Sequence, residues 1–392
     1  MVRTREVIGI GIVGLGGAAQ QMAPSLLADE RVAIRAGADP NRDVREEFSA
    51  AFDCRVYETC EEMAADPAVD CVYVASPHQW HMDNAITAAQ HGKHVIVEKP
   101  MALTADECTR MIQAAKENGV VLIVGHTHSF GKPIRKAREM LLARELGRLS
   151  MINSFAYTNF LYKPRRPEEL DTSRGGGVLF NQLPHHVDIV RYLGGEVRCV
   201  RGMTSCMDPM RPTEGAYMAY FDLECGAAAS IVYSGYDYFD SDEFHSWIGE
   251  LGNQREPGGH ASARRALGAI AAGPAGARAR KRSWSEVQQA AGRSPVLGHP
   301  HFGVTIVSCE RGDIRFSARG VLVYSAQGVR EMDCTLSDAY PDKSGVIEEL
   351  VDAVVHGVPP IHDGAWGRAT MEVCLALRDA AKSRGEVRLR AS

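Results

Sequence analysis

The sequence predicts an α/β protein of two domains, a doubly wound parallel sheet over residues 1–128 and a second α/β domain over 129–392. Three observations predict it. At 392 residues the chain is longer than one hydrophobic core usually supports. Up to about His128, short continuous apolar runs alternate with helical patterns, as buried parallel strands and their crossover helices do. From about Ser150 the runs alternate apolar and polar residues, which suits a sheet with one solvated or oligomeric face.

The first element, "VIGIGIVGLGGAAQQMAPSLL", reads as a strand, a glycine turn and a helix. Gly14, Gly16 and Ala19 match G-x-G-x-x-G/A, and "VAIRAGADPN" supplies a second strand ending in Asp39 at about the expected distance. Gly14 allows a tight turn. Gly16 lets the backbone approach a pyrophosphate, and Ala19 lets the helix pack closely on the strand. With Gly17 and Ala18, the helix N-terminus offers free N–H groups and a positive dipole end to the phosphates. Asp39 accepts from an adenosine ribose and repels a 2′-phosphate, which favours NAD. Asn41 follows it, and Arg42, three residues on, leaves NADP open.

"DCVYVASP" is a buried strand ending in Ser76 and Pro77, where a parallel sheet presents its ligands. A helix beginning near His81 follows and closes at Gly92. "HVIVEKP" is the next strand, and its end places Glu98, Lys99 and Pro100 beside the cofactor crevice. Partial desolvation there lowers a lysine pKa, so that the amine can relay protons. Taken alone, the same three residues fit a surface lysine at a strand end better. "TADECTRMIQAAKENG" is a helix with Thr104 as N-cap and Glu107 completing a capping box, and "VVLIVGHTH" is a further strand.

Composition narrows the function classes. With 45% hydrophobic and 24% charged residues the chain is an ordinary soluble globular protein, and a net charge of −5 argues against a nucleic-acid partner. No apolar run is long enough to span a bilayer. The basic-then-apolar N-terminus runs directly into the glycine turn without an A-x-A site, so it reads as a strand and not a signal peptide. Ten scattered cysteines without a C-x-x-C pair predict reduced thiols in a cytoplasm. The pairs His78/His81, His91/His94 and His126/His128 have metal-like spacing. They fall at different ends of elements, with no accompanying thiolate or carboxylate cluster, so no metal is expected.

In the second half, "LSMINSFAYTNF", "VRCVRGMTS", "GAYMAYFDLECGAAASIVYSGY" and "DIRFSARGVLVYSAQG" are the alternating strands. "PRRPEELDTSRGGG" supplies Arg165, Arg166 and Arg174 just ahead of "GGGVLFNQLPHHVD". The loop is either solvated or captures an anion, since arginine matches carboxylates bidentately. Residues 255–293 carry eight Lys/Arg against two Glu and are rich in Ala and Gly. They read as an insertion, either a basic lid or a solvated excursion. His299 and His301 follow it.

Taken together, "GIVGLGGAA", "ASPHQWH", "AITAAQHGKHVIVEKPMALTADE", "GGGVLFNQLPHHVDIVRYLGG" and "GVIEELVDAVVHGVPPIHDG" resemble the Gfo/Idh/MocA family of nicotinamide-dependent oxidoreductases. The resemblance spans nearly the whole chain. It implies an N-terminal Rossmann domain and a C-terminal domain with a large open, mostly antiparallel sheet, used in homodimer or homotetramer contacts. It implies NAD or NADP as cofactor, Lys99 as catalytic, often before a cis proline bond, and Glu98 near the nicotinamide ribose. The family pattern G-G-G-x-x-x-D-x-G-x-H-x-x-D falls on Gly175 to Asp188, with glycines that let the backbone pass close to substrate and nicotinamide. His185 then takes the role of general base with Lys99 as its partner. His186 points elsewhere, because adjacent helical residues do not share a face. Asn181 stands where the family has Asp and Leu183 where it has Gly; Ser129 replaces a basic residue, leaving His126 or His128 to contact substrate.

The insertion and the "HPHFG" block resemble the branch of the family that contains phthalate cis-4,5-dihydrodiol dehydrogenase. That implies oxidation of a ring secondary alcohol, with a small anionic or polyol ring substrate contacted by Asn181, His185, His128, Arg174, Arg166 and His301. A sugar or inositol dehydrogenase is the alternative enzyme. A non-catalytic dinucleotide sensor is the alternative of another class, against which the presence of both Lys99 and His185 weighs.

Overall fold

The computed structural model describes residues 7–125, 128–163, 165, 167–272, 283–290, 297–336 and 342–389. Two compact units emerge. The first comprises Met1–Thr127, Lys281–Val296 and Ser337–Met371; the second comprises His128–Arg280, Leu297–Leu336 and Glu372–Ser392. A contiguous second domain over 129–392 therefore does not form, because two later segments return to the first unit. Their apolar faces explain it. Helix Ser344–Val355 buries Val346, Ile347, Leu350 and Val351 and packs on helix Gly17–Ala28. Helix Trp284–Ala290 buries Trp284 and Val287 and packs on helices Gly17–Ala28 and Arg42–Phe52.

The first unit is built on six parallel strands: β1 (Ile8–Val13), β2 (Val32–Ala38), β3 (Arg55–Tyr57), β4 (Cys71–Val74), β5 (His94–Glu98) and β6 (Leu122–Gly125). Their order is β3-β2-β1-β4-β5-β6, the doubly wound arrangement. β1, β4 and β6 are buried at every residue, which is why they read as unbroken apolar runs. The order reverses between β1 and β4, so the loops leaving their C-terminal ends, after Val13 and Val74, flank the switch point where such sheets bind ligands. The edge at β6 is not left open: Val124 N–H donates to His362 O at 2.8 Å, and Ile123 bridges Asp363.

The second unit is a nine-stranded sheet of β7 (Leu149–Tyr157), β8 (Val197–Ser205), β9 (Ala216–Leu223), β10 (Ala228–Ser234), β11 (Val304–Cys309), β12 (Gly312–Phe316), β13 (Gly320–Ser325), β14 (Gly328–Asp333) and β15 (Val387–Arg388). The order is β14-β13-β12-β11-β7-β10-β9-β8-β15, antiparallel except for β7 with β10. Alternation sorts its two faces. Ile152, Tyr217, Phe221, Ile231 and Tyr233 are buried, with helix Leu183–Gly194 packed on β7 and β10, while Met151, Met203, Met218, Tyr220 and Ile306 are exposed on the other face. Among the described residues, no helix is long and apolar enough to cross a membrane.

The expected insertion is divided. Its described parts are 255–272, in the second unit, and 283–290, in the first. Arg255 is no solvated residue: its Nη1 lies 2.7 Å from Asp240 and 2.5 Å from Asp242.

Candidate active site

Each unit holds a cluster of the expected residues. In the first unit, β1 ends at Val13 and the chain turns at Gly14, whose φ is +87°. A Cβ at Gly14 would stand 2.5 Å from Ser76 N, so both conformation and space demand glycine. Helix Gly17–Ala28 starts at once, capped by Gly16 without any side chain. Nothing lies within 4 Å of a Cβ built at Gly16 or Gly17, so the start of the helix is uncrowded there. Ala19 is fully buried where the helix meets the sheet. Asp39 Oδ2 accepts from Leu15 N at 3.0 Å and Oδ1 from Asn41 N at 2.9 Å. Each oxygen keeps a second lone pair, enough for two ribose hydroxyls. The open glycine cradle, the helix N-terminus and this carboxylate fit a dinucleotide. Asn41 caps the next helix, accepting from Asp43 N. Arg42 pairs with Glu46 within that helix at 2.6 Å and is largely exposed, so its charge is already partnered.

Ser76 and Pro77 leave β4 half-buried, and the Ser76 hydroxyl accepts from Asn84 Nδ2 at 3.0 Å. The His81 ring bridges two loops, with Nδ1 2.9 Å from Pro100 O and Nε2 2.9 Å from Ser76 O. Burial holds this histidine below its ordinary range despite the two carbonyls, and a neutral ring donates to one of them. Neither nitrogen is left for a metal. The Lys99–Pro100 bond is cis and Lys99 is half-buried. Glu98, buried at the end of β5, accepts from Tyr73 Oη, from Lys343 Nζ at 3.1 Å and from Lys99 N at 3.3 Å. Burial alone would raise its carboxyl; the Lys343 ammonium, the Tyr73 hydroxyl and Lys99 outweigh it and hold Glu98 below the usual carboxylate range. Lys343 and Tyr73 were not expected from sequence. Lys343 lies 245 residues from Glu98, and no motif joins them.

In the second unit, the glycine run has a packing role of its own. Gly175 and Gly177 have φ of +83° and +70°. A Cβ at Gly176 would meet Glu168 O at 2.6 Å, and one at Gly177 the Thr213 hydroxyl at 2.3 Å. The backbone of the 167–171 turn crowds Gly176, and the hydroxyls of Thr213 and Thr172 crowd Gly177, so packing within the protein already requires these two glycines. Asn181 ends helix Gly177–Asn181, and its Nδ2 donates to Gly177 O at 2.9 Å. His185, 5% exposed on helix Leu183–Gly194, lies edge-on to His128 at 4.7 Å and against Phe302 at 5.0 Å. His128 places Nε2 3.4 Å from Glu250, while its buried Nδ1 has no hydrogen-bond partner among the described residues. Burial would raise Glu250, but His128, Lys163 and His301 bring it down to about 2. His186 does not turn away from this cluster as expected, since it packs on Phe302 at 4.7 Å. Its Nδ1 meets Tyr217 Oη at 2.8 Å, and burial lowers it to about 3.

Two further residues expected near the substrate, His301 and Arg165, have partners within the protein. His301 stacks on His245 at 3.8 Å with Nε2 2.8 Å from Ile248 O, the environment of a core histidine. Arg165 is spent on Phe160 O and Glu169, with its guanidinium over the Phe160 ring. Arg174 is exposed at the end of a short 3₁₀ turn. Arg166 and His126 lie outside the described residues.

Comparison with known proteins agrees with this architecture. The profile of the Gfo/Idh/MocA oxidoreductase family with an NAD-binding Rossmann fold matches residues 8–126, and that of the Gfo/Idh/MocA C-terminal domain matches 134–252. The chain is 39% identical over 377 residues to 1-carboxy-3-chloro-3,4-dihydroxycyclohexa-1,5-diene dehydrogenase of Comamonas testosteroni, covering 95% of this chain and 94% of that one. It is 27% identical over 237 residues to the NADP-dependent scyllo-inositol 2-dehydrogenase of Bacillus subtilis, covering 59% and 64%. A solved structure from Bordetella bronchiseptica RB50 superposes with a TM-score of 0.87 at 42% identity, covering 98% and 100%. The chain belongs to the Gfo/Idh/MocA family of oxidoreductases, with an NAD-binding Rossmann unit and a family C-terminal domain.

Proposed function

We propose that the protein is an NAD-linked dehydrogenase of carboxylated cyclohexadiene cis-diols, with phthalate cis-4,5-dihydrodiol as its specific substrate. The observation that carries the reading is the end-to-end likeness, at 39% identity, to an enzyme named for a carboxylated dihydroxycyclohexadiene. A bound dinucleotide would supply the hydride acceptor for the carbinol carbon as its C–O bond becomes C=O; the resulting enone tautomerises to a catechol, and aromatisation draws the reaction forward. The hydroxyl proton goes to the protein. Lys99 is the acceptor assigned in the first unit, and His185 is the base assigned in the second. Gly16, Gly17, Ala18 and Asp39 hold the dinucleotide, with Asp39 favouring NAD over NADP. Asn181 cannot take a proton, which leaves that work to Lys99 and His185. His128 and Arg174 are assigned to the substrate, the arginine to a carboxylate. The exposed row Met151, Met203, Met218, Tyr220 and Ile306 supports a homo-oligomer, since an apolar sheet face this broad is usually covered.

The test is the formation of reduced nicotinamide by purified protein, with NAD and NADP in parallel. Phthalate cis-4,5-dihydrodiol is set against other carboxylated cis-dihydrodiols, inositols and hexoses. Turnover confined to the carboxylated diols is expected. Turnover on inositols or hexoses alone would replace the substrate class with the polyols of the Bacillus relative. Lys99→Ala is expected to abolish turnover and leave NAD binding intact, and an active Lys99→Ala protein would remove the lysine from the mechanism.

A further inference from the structure

Lys343 is a lysine where physical chemistry disfavours one. It is 5% exposed, and lysine is almost never buried unless paired. It is also the N-cap residue of helix Ser344–Val355, at the positive end of the helix dipole, where a cation is unfavourable. Capping does not require it, because Asp342 Oδ1 accepts from both the Ser344 N–H at 3.0 Å and the Ser344 hydroxyl at 2.7 Å. The position is nonetheless fixed from two sides. Lys343 N donates to the buried Ser25 hydroxyl at 2.9 Å, on the helix that follows the glycine turn, and its Nζ donates to Glu98 Oε1 at 3.1 Å. A local rule broken at a buried position, with the charge aimed at one carboxylate, points to a role for that charge.

Glu98 adjoins Lys99. Its other oxygen, Oε2, accepts from the Lys99 backbone N–H. The groups facing this carboxylate can be named element by element. β4 contributes Tyr73, helix His81–Gln90 contributes His81, the chain before helix Ser344–Val355 contributes Lys343, and β6 contributes the uncharged Gly125. Among the described residues, Lys343 is thus the cation, besides Lys99 itself, that shares Glu98. Without it, a buried carboxylate one residue away would hold the Lys99 side chain in its ammonium form, because a nearby opposite charge favours the charged state.

We propose that Lys343 is a positioning residue: by pairing with Glu98 it takes up the carboxylate that would otherwise stabilise the Lys99 ammonium, and so keeps Lys99 ready to accept a proton. The proposal rests on the reading of Lys99 as the proton acceptor, but its physical content is measured without turnover. The full-length protein is labelled with trace acetic anhydride across pH 6 to 11, and acetylation of the Lys99 peptide is read by mass spectrometry to give the titration midpoint of Lys99. In Lys343→Met this midpoint is expected to rise by about one pH unit, the usual scale for a neighbouring charge. In Lys343→Arg, which keeps the cation, it is expected to stay at the wild-type value. In the reciprocal variant Glu98→Gln the midpoint is expected to fall, because the carboxylate is gone and the second cation remains. A midpoint unmoved in folded Lys343→Met overturns the proposal; should that variant fail to fold, an unmoved midpoint in Glu98→Gln overturns it equally. The acid limb of the kcat/KM pH profile is expected to follow the Lys99 midpoint. If the midpoint moves and the limb does not, Lys343 still controls Lys99, and it is the assignment of Lys99 as proton acceptor that fails.

Discussion

Two glycines separated by a single residue answer to different masters, and substitution separates them. Gly14 has a positive φ, and its missing Cβ would strike Ser76 N at 2.5 Å and Ser76 Cα at 2.6 Å, both backbone atoms that cannot swing away. Gly14→Ala is therefore expected to destabilise the first unit by roughly 3 kcal/mol, the sum of a left-handed alanine and a backbone collision. Gly16 has φ −98°, ordinary for any residue, and no neighbour within 4 Å of its missing Cβ. Gly16→Ala is expected to change stability by less than about 0.5 kcal/mol. It should weaken NAD binding about tenfold, because the added methyl stands where the pyrophosphate approaches the helix N-terminus. Urea unfolding and calorimetric NAD titration of both variants check the pair. A Gly16→Ala protein that binds NAD normally would place the phosphates elsewhere.

At the scale of elements, helix Trp284–Ala290 shows how a segment that looks like an insertion becomes part of a core. Its start is a capping box: Glu286 N donates to the Ser283 hydroxyl at 3.2 Å and Ser283 N to Glu286 at 2.8 Å. Trp284, 1% exposed, meets Phe48 edge-on at 4.8 Å and Phe52 at 5.5 Å, and its backbone N–H donates to Glu47 at 2.7 Å. Trp284→Ala is expected to destabilise the first unit by about 3–5 kcal/mol, with the unfolding midpoint in urea as the measure; a loss under 1 kcal/mol would mean that the helix is an ornament on that unit. The elements also show what was legible in the sequence. β1, β4, β5 and the Thr104–Glu107 capping box could be read because each is a local pattern. The Ser283–Glu286 box was equally legible as S-x-x-E and was hidden by the basic, Ala-rich composition around it. The contacts of Trp284 with Glu47 and of Lys343 with Glu98 span 237 and 245 residues. Such pairings follow from tertiary packing, which leaves no periodicity to read. The same holds for Glu250 beside His128. The run Gly175–Gly177 was legible as a special backbone, but the turn that crowds it was not.

For the molecule as a whole, the buried histidines set its response to acid. Burial lowers His81 and His94 in the first unit, and in the second it takes His186 and His301 to about 3 and His245 to about 4. In the unfolded chain each titrates near 6.5. Between about pH 6.5 and 4 the unfolded state therefore binds protons that the native state refuses, so stability falls as the pH falls through that window. Each such histidine costs about 1.4 kcal/mol per pH unit once its unfolded form is protonated. Asp242 opposes them. Burial and then the nearby Asp240 raise it to about 6, so its native carboxyl takes up a proton before the unfolded one does and acid stabilises the fold there; burial raises Asp237 in the same direction. With three histidines placed well below 5 and two aspartates against them, the second unit is expected to lose roughly 4 kcal/mol between pH 7 and pH 5, a large share of the entire stability of many domains. Glu98 and Glu250, held below the usual carboxylate range, add their own losses only below about pH 4.5, where the unfolded carboxyls take up protons that the native ones refuse. Urea unfolding at half-unit pH intervals measures the slope directly. A slope of two or more protons between pH 6 and 5 is expected, and a flat profile would mean that these histidines are protonated in the native state, contradicting the neutral, buried packing of His186 against Tyr217 and of His245 against His301.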